Sequence, residues 1–438
     1  MRDAVVSSLF VFNTTLKPAC ENPAEEDYAL CKLLYYYPES APPYEKQSHV
    51  GLAEGMCMFV DQFSNEPLES IHTEKHTHIL YPCEPNVWIC IVLQHSSGEG
   101  FLRTQDLKTH PEVLKSIAET FYRGFYLFHG AFSEFSYPED YPGLGVLLGD
   151  YTTLFLFELS SKEDPFDGFF YCPLDKKSYL SVLYTINNLT STHPEIEHSL
   201  VIYEGHLVYT SLTQIPSSIL YSYFSQGKQW KRLATIKRDP VPHACRYARL
   251  FDFPEKGFLY GKQEDLVFMP EIYLPEHPPY RLMVWVQDNL LLVLLLNKTV
   301  QDSFCDQTSS FLENSGSELA GTIAPQFQRA IMQEDNYKFL YYNRMNLAIK
   351  QSSRLATIDE ALYKLILSVS AEMQNSSKTD AMVRTLLKTQ IGWVMGVKIL
   401  DSREIFVILP PSSSPANKVE EEIIRFAQHY FHNIFTCF

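Results

Sequence analysis

The chain has 438 residues, 45% of them apolar and 20% charged. That balance excludes an intrinsically disordered protein, and the length exceeds one ordinary core, so about three folded units are expected. Lys+Arg 36 against Asp+Glu 52 leaves a net charge of −16, which argues against nucleic acid as the main partner because phosphate binding needs concentrated positive charge.

The nine cysteines are scattered, with no Cys-x-x-Cys pair, so they read as reduced packing residues and not as a disulfide or zinc framework. Met1 to Val6 lacks the apolar core of a signal peptide. The longest purely apolar run, Leu290 to Leu296, is far short of the ~20 residues a spanning helix needs. A soluble cytosolic chain is expected, with membrane contact limited to its surface.

In chain order, Ser7 to Asn13 reads as a strand and Leu30 to Tyr37 as a second, separated by an acidic loop. From His49 to Phe63 the period becomes helical, with Ala53, Met56, Cys57, Val60 and Phe63 on one face. Strands follow at 70–81 and 87–93. A long helix then carries Leu114, Ile117, Phe121, Phe125 and Phe128 as its buried stripe, with Pro111 and Glu112 suited to its first turn. These elements make a first unit over residues 1–137.

A second unit is expected over 145–333. It opens with strands Thr152–Phe157 and Gly168–Cys172, an amphipathic helix near 175–190, and a hairpin turning at Glu204-Gly205. Another hairpin lies at 281–296 around Gln287-Asp288-Asn289. The third unit, 336–438, begins with a strand near Tyr337. A helix carrying Ile358, Leu362, Leu365, Ile366 and Val369 follows, then a hairpin turning at Asp401-Ser402, then a closing helix from Val419 to Ile434. Strands grouped apart from isolated helices favour an α+β class, antiparallel sheets covered by helices. The segments 138–150 and 225–280, rich in Pro, Gly and charge, are the linker candidates.

Few residues carry chemistry. Gly257 to Gln263 lacks one spacer and the Ser/Thr of a phosphate-binding loop, and Gly143-x-Gly145-x-x-x-Gly149 has the wrong last spacing for a dinucleotide fingerprint. Both are expected to serve turns. On a single strand, His72, His76 and His78 share a face and are candidate zinc ligands, but no local Asp, Glu or Cys completes the set. The plainer reading is a polar strand face, and no metal, cofactor or catalytic residue is assigned.

Two features suggest binding. Gly51 and Gly55 lie one helical turn apart and permit close backbone approach, with Glu54, Met58 and Gln62 forming a stripe off the main apolar face. That helix and the neighbouring strand with His72, Glu74 and Lys75 make the candidate partner interface. The other feature is a local reversal of charge. Lys228, Lys231, Arg232, Lys237, Arg238, Arg246 and Arg249 face the single acid Asp239, with Trp230 among them. A solvated linker and an anionic membrane patch both fit, the latter at about 1 kcal/mol per basic residue.

The stretches LLYYYP (33–38), VGLAEGMCMFVDQF (50–63), SIHTEKH (70–76), VWICIVL (87–93), FHGAF (128–132), CPLDKKSYLSV (172–182), KFLYYNRMNLAIK (338–350), WVMGVKILDSREIFVILP (393–410) and HYFHNIF (429–435) resemble, in order, the vacuolar fusion protein Ccz-one family. The resemblance implies three longin domains. It also implies a stable complex with a Mon-one-like longin subunit, often joined by a third scaffold-like subunit. Together these would act without covalent catalysis as a guanine-nucleotide exchange factor for a late-endosomal GTPase of the Rab-seven type, with the chain cytoplasmic and recruited to late endosomes and lysosomes. A related longin subunit of the Hermansky–Pudlak type, a non-activating membrane tether and a metal hydrolase built on the histidine strand remain rival readings.

Overall fold

The computed structural model describes residues 5–18, 25–64, 67–94, 111–135, 140–159, 168–225, 256–259, 267, 269–287, 289–297, 300, 302–331, 338–352, 360–375, 382–389, 392–399, 402–409 and 415–430. Two compact units divide the chain. The first is built around Met1–Phe166 and the second around Asp167–Lys228 and Val284–Phe438.

In the first unit, β1 (Val5–Asn13) and β2 (Leu33–Tyr37) flank the helix α1 (Glu25–Leu30), which occupies part of the expected acidic loop. The helix α2 (Pro43–Val60) follows, starting earlier than its apolar period suggests because Pro43 takes the first helical turn, where its missing N–H costs nothing. The expected single strand 70–81 is instead a hairpin of β3 (Ser70–His72) and β4 (His76–Glu84). Its turn is closed by Thr73, whose N–H and hydroxyl donate to the His76 carbonyl at 2.8 Å each, while its hydroxyl oxygen accepts from the His76 N–H at 3.0 Å. β5 (Val87–Gln94) completes an antiparallel sheet ordered β2-β1-β5-β4-β3.

Side chains alternate across this sheet. Phe10, Phe12, Tyr36, Leu80, Cys90 and Val92 face α2, and the helices α3 (Pro111–His129) and α4 (Tyr141–Leu159) follow the sheet. The expected strand Thr152–Phe157 lies within α4, as do residues 141–150 of the expected linker. Thr-Thr and alternating Phe mimic a strand locally. Leu144, Leu148, Tyr151 and Phe155 nevertheless fall at helical spacing and are buried. A Cβ added at Gly145 would lie 3.9 Å from the Leu34 carbonyl, and one at Gly149 3.2 Å from Glu39 Oε1. These glycines admit a helix onto β2 and do not make a turn.

The second unit contains β6 (Phe169–Phe170), α5 (Lys176–Thr192), the hairpin β7 (Ile196–Tyr203) to β8 (His206–Thr210), and α6 (Gln214–Ser225). Glu204 (φ 49°) and Gly205 (φ 77°) make the left-handed two-residue turn that matches strand twist. Asp175 caps α5, its carboxylate accepting from Ser178 N–H at 2.7 Å. Beyond β9 (Lys256–Phe258) come β10 (Glu271–Ile272), β11 (Tyr280–Gln287) and β12 (Leu290–Leu296), ordered with the hairpin as β10-β11-β12-β7-β8 and with β9 beside β11. The apolar run 290–296 is thus a wholly buried strand, as a central strand covered on both faces should be.

A thirty-residue helix, α7 (Asp302–Ile331), had no counterpart in the sequence reading. Its buried positions Phe304, Leu312, Leu319, Ile323 and Phe327 are diluted by Ser, Gly and Asn. β13 (Lys338–Asn343), β14 (Ala348–Gln351), α8 (Glu360–Asn375), β15 (Met382–Lys388), β16 (Trp393–Ile399), β17 (Arg403–Leu409) and α9 (Ala416–Tyr430) complete the unit. Their sheet runs β15-β16-β17-β13-β14, with β6 parallel to β14 at its edge.

Counting the main strands of each sheet from one to five in chain order, β6 and β9 apart, all three follow 2-1-5-4-3, with a helix between the second and third strand and another after the fifth. The α+β class with antiparallel sheets therefore holds. The middle sheet, whose sequence reads as the least regular, repeats the plan of its neighbours.

Candidate interaction platform

The inner side of α2 is seated on the first sheet through Val50, Ala53 and Cys57. Beside them, His49 Nδ1 lies 2.8 Å from the Tyr36 hydroxyl, which lies 3.2 Å from Ser8 Oγ. The Tyr36 ring stacks on Phe10 at 5.6 Å. His49 meets His78 edge-on at 5.9 Å, and His78 meets His76 at 6.3 Å. Burial holds His49 below the usual imidazole range. It pushes His78 down to about 4, with the charges of His49 and His76 adding to the effect. Burial likewise pushes the Cys57 thiol up to about 12, so this thiol stays protonated and unreactive at neutral pH.

The outer side of α2 is unusual. At about 100° per residue, Tyr44, Gly51, Leu52, Gly55, Met58 and Phe59 fall within roughly one third of the circumference, opposite the seated face, and Gln62 and Phe63 follow just past the helix end. Met58 is 62% exposed, Phe59 57% and Phe63 76%, and the two phenylalanine rings contact each other at 5.1 Å. A Cβ built at Gly51 or Gly55 would have no heavy atom within 4 Å. The glycines therefore serve no packing within the described structure, though each weakens the helix by roughly 0.5–1 kcal/mol relative to alanine. A contiguous apolar stripe on a surface helix marks an interaction site.

Several expected interface residues take different positions. Met58, Gly51, Gly55 and Gln62 lie on the stripe, Gln62 just beyond the helix end. Glu54 is drawn off it by an ion pair with Lys32 and is largely buried. Phe63, expected on the buried face, lies past the helix end and is exposed. Ile71 packs towards α2, so alternation puts His72 on the opposite face. There its Nδ1 lies 3.1 Å from Thr77 Oγ1 and its Nε2 3.2 Å from Ser70 Oγ. Glu74 and Lys75 occupy the exposed hairpin turn.

The hairpin also breaks up the candidate zinc set, because His72 no longer shares a strand with His76 and His78. Among the described residues no three His, Cys, Asp or Glu side chains converge as metal ligands. Trp230 and the basic residues Lys228, Lys231, Arg232, Lys237, Arg238, Arg246 and Arg249 lie outside the described residues. Sequence reasoning missed Tyr44, Leu52 and Phe59, although the spacing 52, 59, 63 carries a second apolar stripe that a count of both helix faces would have found.

Replacing Gly55 with alanine is expected to raise the stability of the isolated chain by about 0.5–1 kcal/mol and to weaken partner binding. Denaturant melts and a binding titration measure the two effects separately. Unchanged affinity would remove close backbone approach as the reason for the glycine.

Residues 6–130 match the family described as the first longin domain of INTU, CCZ1 and HPS4, and residues 333–425 match the Intu longin-like domain 3. Curated relatives extend the similarity along the chain. A vacuolar fusion protein CCZ1 homolog of Xenopus tropicalis is 25% identical over 98% of this chain and 96% of its own length. One of Nematostella vectensis is 26% identical over 98% and 97%, and one of Dictyostelium discoideum 24% identical over 92% and 93%.

Proposed function

We propose that this chain, a relative of the CCZ1 vacuolar fusion proteins along nearly its whole length, is one subunit of a multi-subunit exchange factor for a late-endosomal GTPase of the Rab-seven type. Its role as a CCZ1-type trafficking subunit with longin domains follows from the matched family and relatives. The observation that carries the finer reading is the exposed apolar stripe of α2 on the first longin domain, with its two glycines open to solvent. A Mon-one-like longin subunit would cover part of that stripe and complete a composite surface for the GTPase. A third scaffold-like subunit and an anionic membrane would recruit the assembly to late endosomes and lysosomes. Among the described residues no helix is long and apolar enough to cross a membrane, which agrees with recruitment from outside.

Exchange needs no covalent step. A factor that binds the nucleotide-free GTPase more tightly than the loaded one lowers nucleotide affinity by the same factor, because coupling between two ligands is reciprocal. A surface made of contact area suits that work. Burial holds the Cys57 thiol and the His78 imidazole neutral, and a protonated thiol does not suit nucleophilic chemistry.

The test is nucleotide release from a Rab-seven-type GTPase, measured with this chain alone, with a Mon-one-like partner alone and with both. The pair is expected to accelerate release about tenfold or more, on the scale of ordinary coupling energies, and each subunit alone to leave it unchanged. Equal release with and without the partner rejects the composite surface. Partner binding without any acceleration favours the tether, and acceleration confined to another Rab favours the Hermansky–Pudlak-type subunit.

A further inference from the structure

We propose that the seat of α2 is an acid-sensitive latch: the His49–His78–His76 cluster holds the helix down while its rings are neutral and releases it when they take up protons. The inference rests on α2 being the partner surface and concerns how that surface is regulated.

Around the cluster, anions that would stabilise imidazolium are scarce; β3 sets the apolar Ile71 opposite His78 in register. Ser8 of β1, Tyr36 of β2 and Cys90 of β5 contribute neutral groups. β4 contributes His76 and His78 themselves. On α2, Glu45 favours a charged His49, but the burial of the ring outweighs it. Lys46, on the same turn, puts its ammonium 5.5 Å from the centre of the Tyr36 ring and so adds positive charge near the cluster. His78 is 5% exposed, and its ring lies against the rings of His49 and His76.

A proton on His78 is therefore a buried cation without a counter-charge, and a second on His49 would lie beside it at a ring separation of 5.9 Å. Lifting α2 exposes both rings to water and relieves the cost. A histidine at about 4 when the helix is seated and about 6.5 when it is lifted binds more protons in the lifted state. The sign is fixed: the latch is closed above about pH 6.5 and weakens as pH falls towards 4. At pH 5 His78 alone lowers the seated-to-lifted ratio about 30-fold relative to pH 8.

Hydrogen exchange of the full chain at pH 7.0 and 5.0, scaled to intrinsic rates, tests this. Protection of residues 43–60 is expected to fall about 20- to 30-fold relative to α9, which is seated on its own sheet through Val419, Ile423 and Ala427. His78→Phe, which keeps a ring but cannot titrate, is expected to hold the change within about threefold. Equal protection of α2 at the two pH values overturns the proposal, and so does a His78→Phe protein that loses protection as the parent does. Should that variant fail to fold, the comparison on the unmodified chain decides alone. Failure of nucleotide exchange at pH 7.0 with the latch behaving as described would count against the exchange reading only.

Discussion

Replacing Glu404 with alanine is expected to destabilise the third sheet by about 1.5–3 kcal/mol, the usual worth of hydrogen bonds to a charged group. Glu404 is fully buried on β17. Its Oε1 accepts from Arg344 Nε at 2.8 Å and its Oε2 from Ser370 Oγ at 3.0 Å, tying the β13–β14 turn and α8 to the sheet. Lys398, 5% exposed, is its register partner on β16. Without the carboxylate, Arg344, whose side chain is 37% exposed, loses its ion-pair partner and the Ser370 hydroxyl loses its acceptor. Glu404→Gln retains an acceptor and the side-chain shape, so it should cost less than alanine. Denaturant melts of the full chain, with exchange protection over 338–352 to locate the effect, measure both. A change under about 1 kcal/mol for alanine would mean that water screens the cluster.

Phe59→Asp should have the largest effect on assembly. An exposed aromatic at the centre of an interface commonly contributes 2–4 kcal/mol, so partner affinity is expected to fall about 30- to 1000-fold. The fold should tolerate the change within about 0.5 kcal/mol, because the side chain packs against little beyond Phe63. A binding titration against the Mon-one-like subunit, with circular dichroism as the folding control, reads the two quantities. Undiminished affinity would place the partner interface away from α2.

The local grammar of the chain was legible where side-chain period and turn chemistry agree. The hairpin at Glu204-Gly205, the buried run 290–296 and the Phe-rich helix α3 all lie where periodicity puts them. It failed where a sequence satisfies two periods or neither. Thr152–Phe157 alternates like a strand but belongs to α4, because Leu148, Tyr151 and Phe155 are buried together only on a helix. The diluted stripe of α7 gives weak amphipathicity over thirty residues, yet Gly316 lets it sit so close to β11 that an added Cβ would meet Gln287 Oε1 at 2.6 Å.

The candidate site divides in the same way. Gly51, Gly55 and Met58 could be named from spacing, since helical geometry sets which residues share a face. That Glu54 pairs with Lys32, that Phe63 is exposed and that His72 faces away from α2 depend on residues distant in the chain.

By itself, the sequence determined the α+β class, most strands and helices, and the resemblance to longin-domain proteins, because these rest on short-range pattern and ordered motifs. Tertiary structure alone decided that all three sheets share one strand order, that a stripe of apolar side chains is left uncovered on α2, and that His78 is buried beneath it. The physical reason is that exposure and burial are properties of what lies opposite a residue, and the neighbours that seat α2 come from β1, β2, β4 and β5.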